Sequence, residues 1–483
     1  MPELLPPPQT IVVFGASGDL SRRKIIPALY NLSRDGLLPE QYAVVGYAPN
    51  PWDTTAFLDF ARQSVASFSR SSLREDAWAR FERHLHYVAG DFDSSGSLAP
   101  LEAQLAQFDA ALGTGGRRLL FCAVPASIVP TLITRLGECG PQEGSRVVLE
   151  KPFGRDLESA RRLNAAVHDV FDESQVFRID HFLGKEAALN IPAMRFANGL
   201  FEPIWHRNFI SHVQIDIPET LGLDGRIGFY EKTGAYKDMV VTHLFQVLAF
   251  IAMEAPTALD PQSITEEKNK VFRSMLPIDP HQVVRGQYSG YHDEDGVDPD
   301  SDTETFIALK CFVDNWRWAD VPFFLRTGKK LSEGQRIISI AFREPPKSMF
   351  PEGSGIGDHG PDHLTFDLAD EARMSLSFYG KRPGPGFRLV KQSMQFAMDD
   401  TGWAGSVLEA YERLILDAVK GNHTLFTTAE GVERLWEISE PLLENPPPVR
   451  EYAAGSWGPN QIHQLVAPFT WRLPFERKWR GNA

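Results

Sequence analysis

Residues 178–186 read Arg-Ile-Asp-His-Phe-Leu-Gly-Lys-Glu and follow a short strand-like run. Asp180 stands beside the imidazole of His181, with Lys185 four residues beyond it. A proton-abstracting imidazole needs a carboxylate to hold its ring, and an anionic substrate needs cationic donors, so this stretch offers parts for both tasks. The plain alternative is a strand-to-helix corner whose polar side chains face water. A second imidazole, His243, lies in Met239-Val-Val-Thr-His-Leu-Phe-Gln-Val-Leu-Ala-Phe, which as a helix is apolar on nearly every side. It is either a satisfied core histidine or a buried general base held by a carboxylate. Asp238 precedes it by five residues, about 140° round a helix of 3.6 residues per turn, and so cannot orient it from the same face. Asp180 is the candidate for that task.

Gly15, Ala16, Ser17, Gly18, Asp19, Leu20 and Ser21 close the first apolar run with two of the three glycines of a dinucleotide fingerprint, Ser21 standing at the third place. Glycine lets backbone amides and the positive end of a helix approach a pyrophosphate, although the same residues also make an ordinary tight turn. Arg22, Arg23 and Lys24 follow and supply positive charge. The end of the second strand, Tyr47-Ala-Pro-Asn-Pro, carries neither the acid that holds a ribose hydroxyl nor the arginine that holds a 2′-phosphate. Glu150-Lys151-Pro152-Phe153-Gly154 closes another strand, and Lys151 there either reaches a substrate oxygen or caps the strand in solvent.

These residues need a frame. Apolar runs at 10–14, 43–46, 119–124 and 147–149 alternate with helical spacing at 25–32, 101–112 and 128–136, which predicts a parallel sheet with helices on both faces. Ligands gather beyond the carboxyl ends of such strands, which carry Gly15, Tyr47, Pro125 and Lys151 on one rim. After about residue 180 the segments 306–313, 336–343, 364–368 and 374–379 become short and partly alternating, and predict a mainly antiparallel sheet. Residues 369–373 read as a hairpin connection. Further helices are predicted over 237–253, 407–419 and 429–443.

The net charge of −14 argues against nucleic acid or an anionic membrane as partner, since both reward clustered Lys and Arg. Cys122, Cys139 and Cys311 form neither a disulfide framework nor a metal-ligand pair, and read as thiols of a reducing, cytoplasmic compartment. The acidic run 292–302 lacks calcium-loop spacing and reads as a solvated loop.

Five segments in order resemble the glucose-6-phosphate dehydrogenase family: Gly-Ala-Ser-Gly-Asp-Leu at 15–20, Glu-Lys-Pro-Phe-Gly at 150–154, the nine residues at 178–186, Lys-Asp-Met-Val-Val-Thr-His at 237–243 and Leu-Arg-Thr-Gly-Lys at 325–329. The resemblance implies an α/β Rossmann domain at 1–180 and a larger α+β domain with a mainly antiparallel sheet at 181–483. It implies a homodimer or homotetramer built through that sheet. It also implies oxidation of glucose 6-phosphate at C1 to 6-phospho-D-glucono-1,5-lactone, with hydride transfer to NADP or NAD. Carried over residue by residue, His243 falls on the general base and Asp180 on the carboxylate that orients it. His181 and Lys185 fall on phosphate ligands, Glu219 and Asp238 on acids that hold sugar hydroxyls, Lys151 on a lysine between substrate and nicotinamide, and Lys329 on a further substrate lysine. Gly15 through Arg22 correspond to the cofactor loop, and no metal belongs to the set.

Four residues depart from the family pattern. Phe182 replaces a tyrosine that reaches the phosphate, the loss of one charged hydrogen bond worth roughly 1.5–3 kcal/mol. Lys237 replaces an arginine, Gly334 a basic residue, and Pro49 the arginine that grips the 2′-phosphate. Three of these, Phe182, Gly334 and Pro49, motivate an alternative, a non-catalytic sensor of sugar phosphates or dinucleotides on the same fold.

Overall fold

The first strand, β1 (Gln9–Phe14), is buried from end to end, as suits a β-branched run covered on both faces. It joins β2 (Tyr42–Ala48), β3 (Leu85–Ala89), β4 (Arg118–Cys122), β5 (Arg146–Leu149) and β6 (Val176–Ile179) in a parallel sheet ordered β6-β5-β4-β1-β2-β3. The chain therefore runs outward from β1 to one edge and later outward from β4 to the other, which puts a topological switch point between β1 and β4. Helices Ile26–Arg34, Thr54–Phe68, Ala99–Leu112, Val129–Cys139 and Leu157–His168 lie between the strands in sequence. Their ends carry local signals. Asp53 accepts from the Ala56 amide at 2.8 Å, Asp156 and Ser159 form a capping box, and Gly113 and Gly140 close their helices in the left-handed conformation.

The structure is a computed structural model and describes residues 5–140, 144–223, 225–357, 360–368, 373–397 and 407–472. The chain divides into two compact units, one made of Met1–Gly184, Thr257–Glu266 and Leu408–Glu433, the other of Lys185–Pro256, Glu267–Val407 and Arg434–Ala483. The register pairs Phe14 with both Tyr47 and Cys122, and Cys122 with Leu149, so the predicted rim exists. Tyr47 itself does not line it. The residue is still inside β2, fully buried, with its hydroxyl donating to the carbonyls of Asp91 and Ser97 at 2.8 and 3.2 Å.

The second unit holds β7 (Ile210–Pro218), β8 (Val283–Tyr288), β9 (Phe306–Cys311), β10 (Phe323–Gly328), β11 (Ile337–Phe342), β12 (His363–Asp367), β13 (Arg373–Lys381) and β14 (Leu389–Ala397). A short β15 (Phe426–Thr427) joins the first sheet antiparallel to β6, and β16 (Val449–Tyr452) joins the second beside β8. The second sheet runs β14-β13-β12-β11-β7-β10-β9-β8-β16 and is mainly antiparallel, with parallel pairs at β7–β10 and β8–β16. β12 and β13 pair antiparallel as a hairpin would, although residues 369–372 lie outside the described residues. In the β7–β10 pair Asp216 stands opposite Arg326, whose guanidinium bonds that carboxylate and lies 4.5 Å from the Trp471 ring centre.

The predicted regular helix over 237–253 is two helices of different winding. Tyr236–Leu244 is a π-helix and Phe245–Ala252 an α-helix buried along its whole length. The Phe245 amide reaches back five residues to the Val240 carbonyl, and the Thr242 hydroxyl bonds the Asp238 carbonyl at 2.6 Å, competing with the regular ladder. Among the described residues no helix is long and apolar enough to cross a membrane.

Candidate active site

In the first unit the glycine turn sits at the switch point. Gly15 has φ 79°, and a Cβ there would lie 2.3 Å from the Ala123 carbonyl oxygen just beyond β4. Only glycine allows the ends of β1 and β4 to close this far. Ser21, at the place of the third glycine, is buried and donates its hydroxyl to the Gly15 carbonyl at 2.9 Å, so it ties the turn together from inside. Ala16 is buried, Ser17, Gly18 and Leu20 are half-buried, and Asp19 and Arg22 are exposed. Ser17 donates to Asn50 at 2.6 Å, while the Arg22 and Arg23 guanidinium groups lie 5.5 and 5.3 Å from the Phe68 ring centre. A turn with glycine at 15 and 18, followed by Arg22 and Arg23, fits a dinucleotide pyrophosphate and its neighbouring charge.

Asp180 comes directly after β6 and is almost fully buried; its Oδ1 accepts the Phe182 amide at 2.9 Å, an aspartate turn that fixes the carboxylate against its own backbone. His181 is half-buried and meets the Phe182 ring edge-on at 5.0 Å. Phe182 is itself buried. Gly184 passes the chain at Ala410, whose carbonyl oxygen a Cβ would approach to 2.8 Å, which accounts for the glycine of the motif. Lys151 is half-buried and joined to Pro152 by a cis peptide.

In the second unit, the register that sets Pro218 opposite Gly328 also sets the next residues, Glu219 and Lys329, side by side. The Glu219 amide donates to the Gly328 carbonyl at 2.9 Å and its carboxylate pairs with the Lys329 ammonium, which lies 5.6 Å from the Tyr230 ring centre. His243 is fully buried, and Asp238 is half-buried on the same π-helix. With bonds five residues apart each turn takes more than 3.6 residues, so positions 238 and 243 lie closer in azimuth than the roughly 140° of regular winding, and the angular ground for separating Asp238 from His243 does not hold. Lys185 is half-buried at the start of helix Glu186–Phe196.

Two groups escaped the sequence reading. The Glu150 carboxyl is buried although the residue as a whole is half-buried, and burial pushes it up to about 7 despite a hydrogen bond from Tyr411 and the nearby Lys151 charge. Tyr230, buried at 3%, is held well above the usual phenol range by burial and then by Asp238, Glu304, Tyr452 and Glu219. Its hydroxyl has no hydrogen-bond partner among the described residues. No local pattern marks either group, because the surroundings of each come from distant parts of the chain.

A parallel sheet with a glycine turn at its switch point, and a second unit presenting carboxylates and lysines, defines an oxidoreductase that binds a nicotinamide dinucleotide. Residues 12–190 match the family model described as glucose-6-phosphate dehydrogenase, NAD binding domain, and residues 192–480 match that of the C-terminal domain. The chain belongs to the glucose-6-phosphate dehydrogenase family. It is 40% identical to glucose-6-phosphate 1-dehydrogenase 2 of Mycobacterium tuberculosis, over 97% of this chain and 95% of that one. It is 37% identical to the enzyme of Aggregatibacter actinomycetemcomitans, over 96% and 97%. Among solved structures it is similar to a glucose-6-phosphate dehydrogenase in complex with its substrate glucose-6-phosphate, with TM-score 0.90 and 31% identity over 98% of this chain and 100% of that one. The Mycobacterium avium enzyme matches with TM-score 0.86 and 33% identity, over 97% and 99%.

Proposed function

We infer that this chain oxidises D-glucose 6-phosphate at C1 to 6-phospho-D-glucono-1,5-lactone, the entry reaction of the oxidative pentose phosphate pathway. The observation that carries the reading is the likeness to a substrate-bound glucose-6-phosphate dehydrogenase over nearly the whole of both chains. The presence of Asp180, His181, Lys185, Glu219, Asp238, His243 and Lys329 at the positions to which the family resemblance assigns roles supports it. In this reading His243 takes the C1 hydroxyl proton and Asp180 orients its ring. His181 and Lys185 bind the phosphate. Glu219 and Asp238 hold sugar hydroxyls, while Lys151 and Lys329 add positive charge along the substrate. A nicotinamide dinucleotide, when bound in the Gly15 to Arg22 loop, accepts the hydride. The protein's own share is alignment, a base of suitable pKa and charge complementarity.

NADP is the preferred dinucleotide in this proposal and NAD a second one, since Arg22 and Arg23 offer charge near the loop although Pro49 does not. Three free thiols, Cys122, Cys139 and Cys311, support a cytoplasmic setting. Self-association through the second sheet is supported by β14, an outer strand on which Met394 and Phe396 are exposed.

Nicotinamide reduction with glucose 6-phosphate tests the activity, and NADP and NAD compared side by side by kcat/KM test the preference. No turnover with either dinucleotide, in a folded sample that binds both ligands, would leave the sensor reading in its place. His243→Asn is expected to keep substrate binding and to lower kcat by a factor on the order of 10². A rate near that of the unmodified enzyme would remove His243 from the base role.

A further inference from the structure

The π-helix that carries Asp238 and His243 begins without a cap of its own. Ala235 stands at its cap position and offers no hydrogen-bonding side chain, yet Ala235 and Tyr236 are both fully buried, so their amides cannot turn to water. Both are satisfied by one residue from far along the chain. The Glu304 carbonyl accepts the Ala235 amide at 2.9 Å, and its Oε1 accepts the Tyr236 amide at 3.0 Å. The other carboxylate oxygen is held by Arg285, whose Nε and Nη2 donate at 3.2 and 3.1 Å. Arg285 is anchored in turn on the carbonyls of Pro447 and Asp302, at 3.0 and 2.7 Å. Gly234 leaves room for the carboxylate, since a Cβ there would stand 2.5 Å from Glu304 Oε1.

The next residue ties in the lysine. The Thr305 carbonyl accepts the Lys329 amide at 2.9 Å, and the Tyr452 hydroxyl donates to the Lys329 carbonyl at 2.7 Å and meets the Thr305 hydroxyl at 3.1 Å. The dipeptide Glu304-Thr305 therefore fixes both the start of the helix bearing Asp238 and His243 and the backbone of Lys329. A carboxylate at a helix start also meets the positive end of its dipole.

We propose that Glu304, braced by Arg285, is a positioning residue for the dehydrogenase reaction, setting the height and rotation of the π-helix so that Asp238 and His243 meet the sugar in register with Lys329. The proposal rests on the base role given above to His243. It predicts a loss of sugar turnover that dinucleotide affinity does not share, because Glu304 holds the start of the helix bearing Asp238 and His243. Removing it also strips the buried Arg285 of its counter-charge, so some fall in thermal midpoint accompanies the defect. The cavity of about 200 Å³ that Glu304 borders, lined also by Lys232, Lys237 and Asp302, leaves room for the change.

The test uses the full-length enzyme as Glu304→Ala and Glu304→Gln, with His243→Asn as reference. The readouts are kcat and KM for glucose 6-phosphate, the Kd of the dinucleotide by fluorescence titration, and the thermal midpoint. Glu304→Ala is expected to lower kcat/KM for the sugar by roughly 10- to 100-fold, the scale of a displacement near 1 Å, while the dinucleotide Kd stays within about twofold. Glu304→Gln, which keeps one acceptor but loses the charge facing Arg285, should fall between. If Glu304→Ala does not fold, Glu304→Gln carries the same decision. Folded variants with an unmodified kcat/KM, beside an inactive His243→Asn, overturn the proposal and leave the base role standing. Loss of sugar turnover in parallel with dinucleotide affinity and midpoint also overturns it, since that is general destabilisation. A fully active His243→Asn overturns both readings.

Discussion

Glu150 shows how far a single side chain can depart from what its neighbours in sequence suggest. Its carboxyl, raised to about 7 from a usual value of 4.5, holds a proton in the native state that it would release when unfolded. The contribution of this proton is therefore fully present below pH 4.5 and is lost as pH rises through 7. Glu150→Gln should flatten the stability profile between the usual value of 4.5 and the raised value of about 7, with a thermal midpoint less sensitive to pH in that window than that of the unmodified enzyme. Equal slopes for the two proteins would show that Glu150 is ionised across that range. At this scale the sequence was informative about identity more than surroundings. The segment at 178–186 marked Asp180, His181 and Lys185 because their chemistry is local, and the structure explains Gly184 by the approach of Ala410. The Tyr411 hydrogen bond to Glu150 spans more than half the chain, and no spacing rule reaches it.

Elements were legible where periodicity is simple. Strands β1, β2, β4 and β5 and the helices predicted at 25–32, 101–112, 128–136, 407–419 and 429–443 fall near their predicted bounds, since apolar runs and helical spacing are local signals. By contrast, β3 and helices such as Thr54–Phe68, Leu157–His168 and Pro261–Ser274 lie outside the predicted segments. The helix at 236–252 failed in winding, not in existence: an apolar segment shows no preference for 3.6 residues per turn, and the Thr242 bond to the Asp238 carbonyl is invisible to hydropathy. β7 and β10 carry the second lesson. Their parallel pairing creates the Glu219–Lys329 contact and buries Arg326 against Asp216. Asp216→Asn would leave a buried guanidinium without its counter-charge, and a cost of about 3–5 kcal/mol is expected in equilibrium denaturation. A change below about 1 kcal/mol would mean that Trp457 and Trp471 satisfy the cation by themselves.

For the whole molecule, the two fold classes were readable from the change of texture near residue 180, but the course of the chain was not. Segments 257–266 and 408–433 belong to the first unit although they come long after it in sequence. Self-association is the prediction that belongs here. Phe396→Glu, on exposed β14, should convert an oligomer to monomers in light scattering, and an unchanged mass would place the interface elsewhere.

The late arrival of β15 also bears on how the protein is made. Its pairing with β6, and the Glu412 carboxylate that receives Asn31 and Arg70, reach the first unit only after more than 400 residues have left the ribosome. A nascent chain stalled near residue 190 should therefore hold an open sheet edge and unmatched polar groups, a state suited to chaperone capture. Translation speed through the second half, more than through the first, then governs how long that vulnerable intermediate persists.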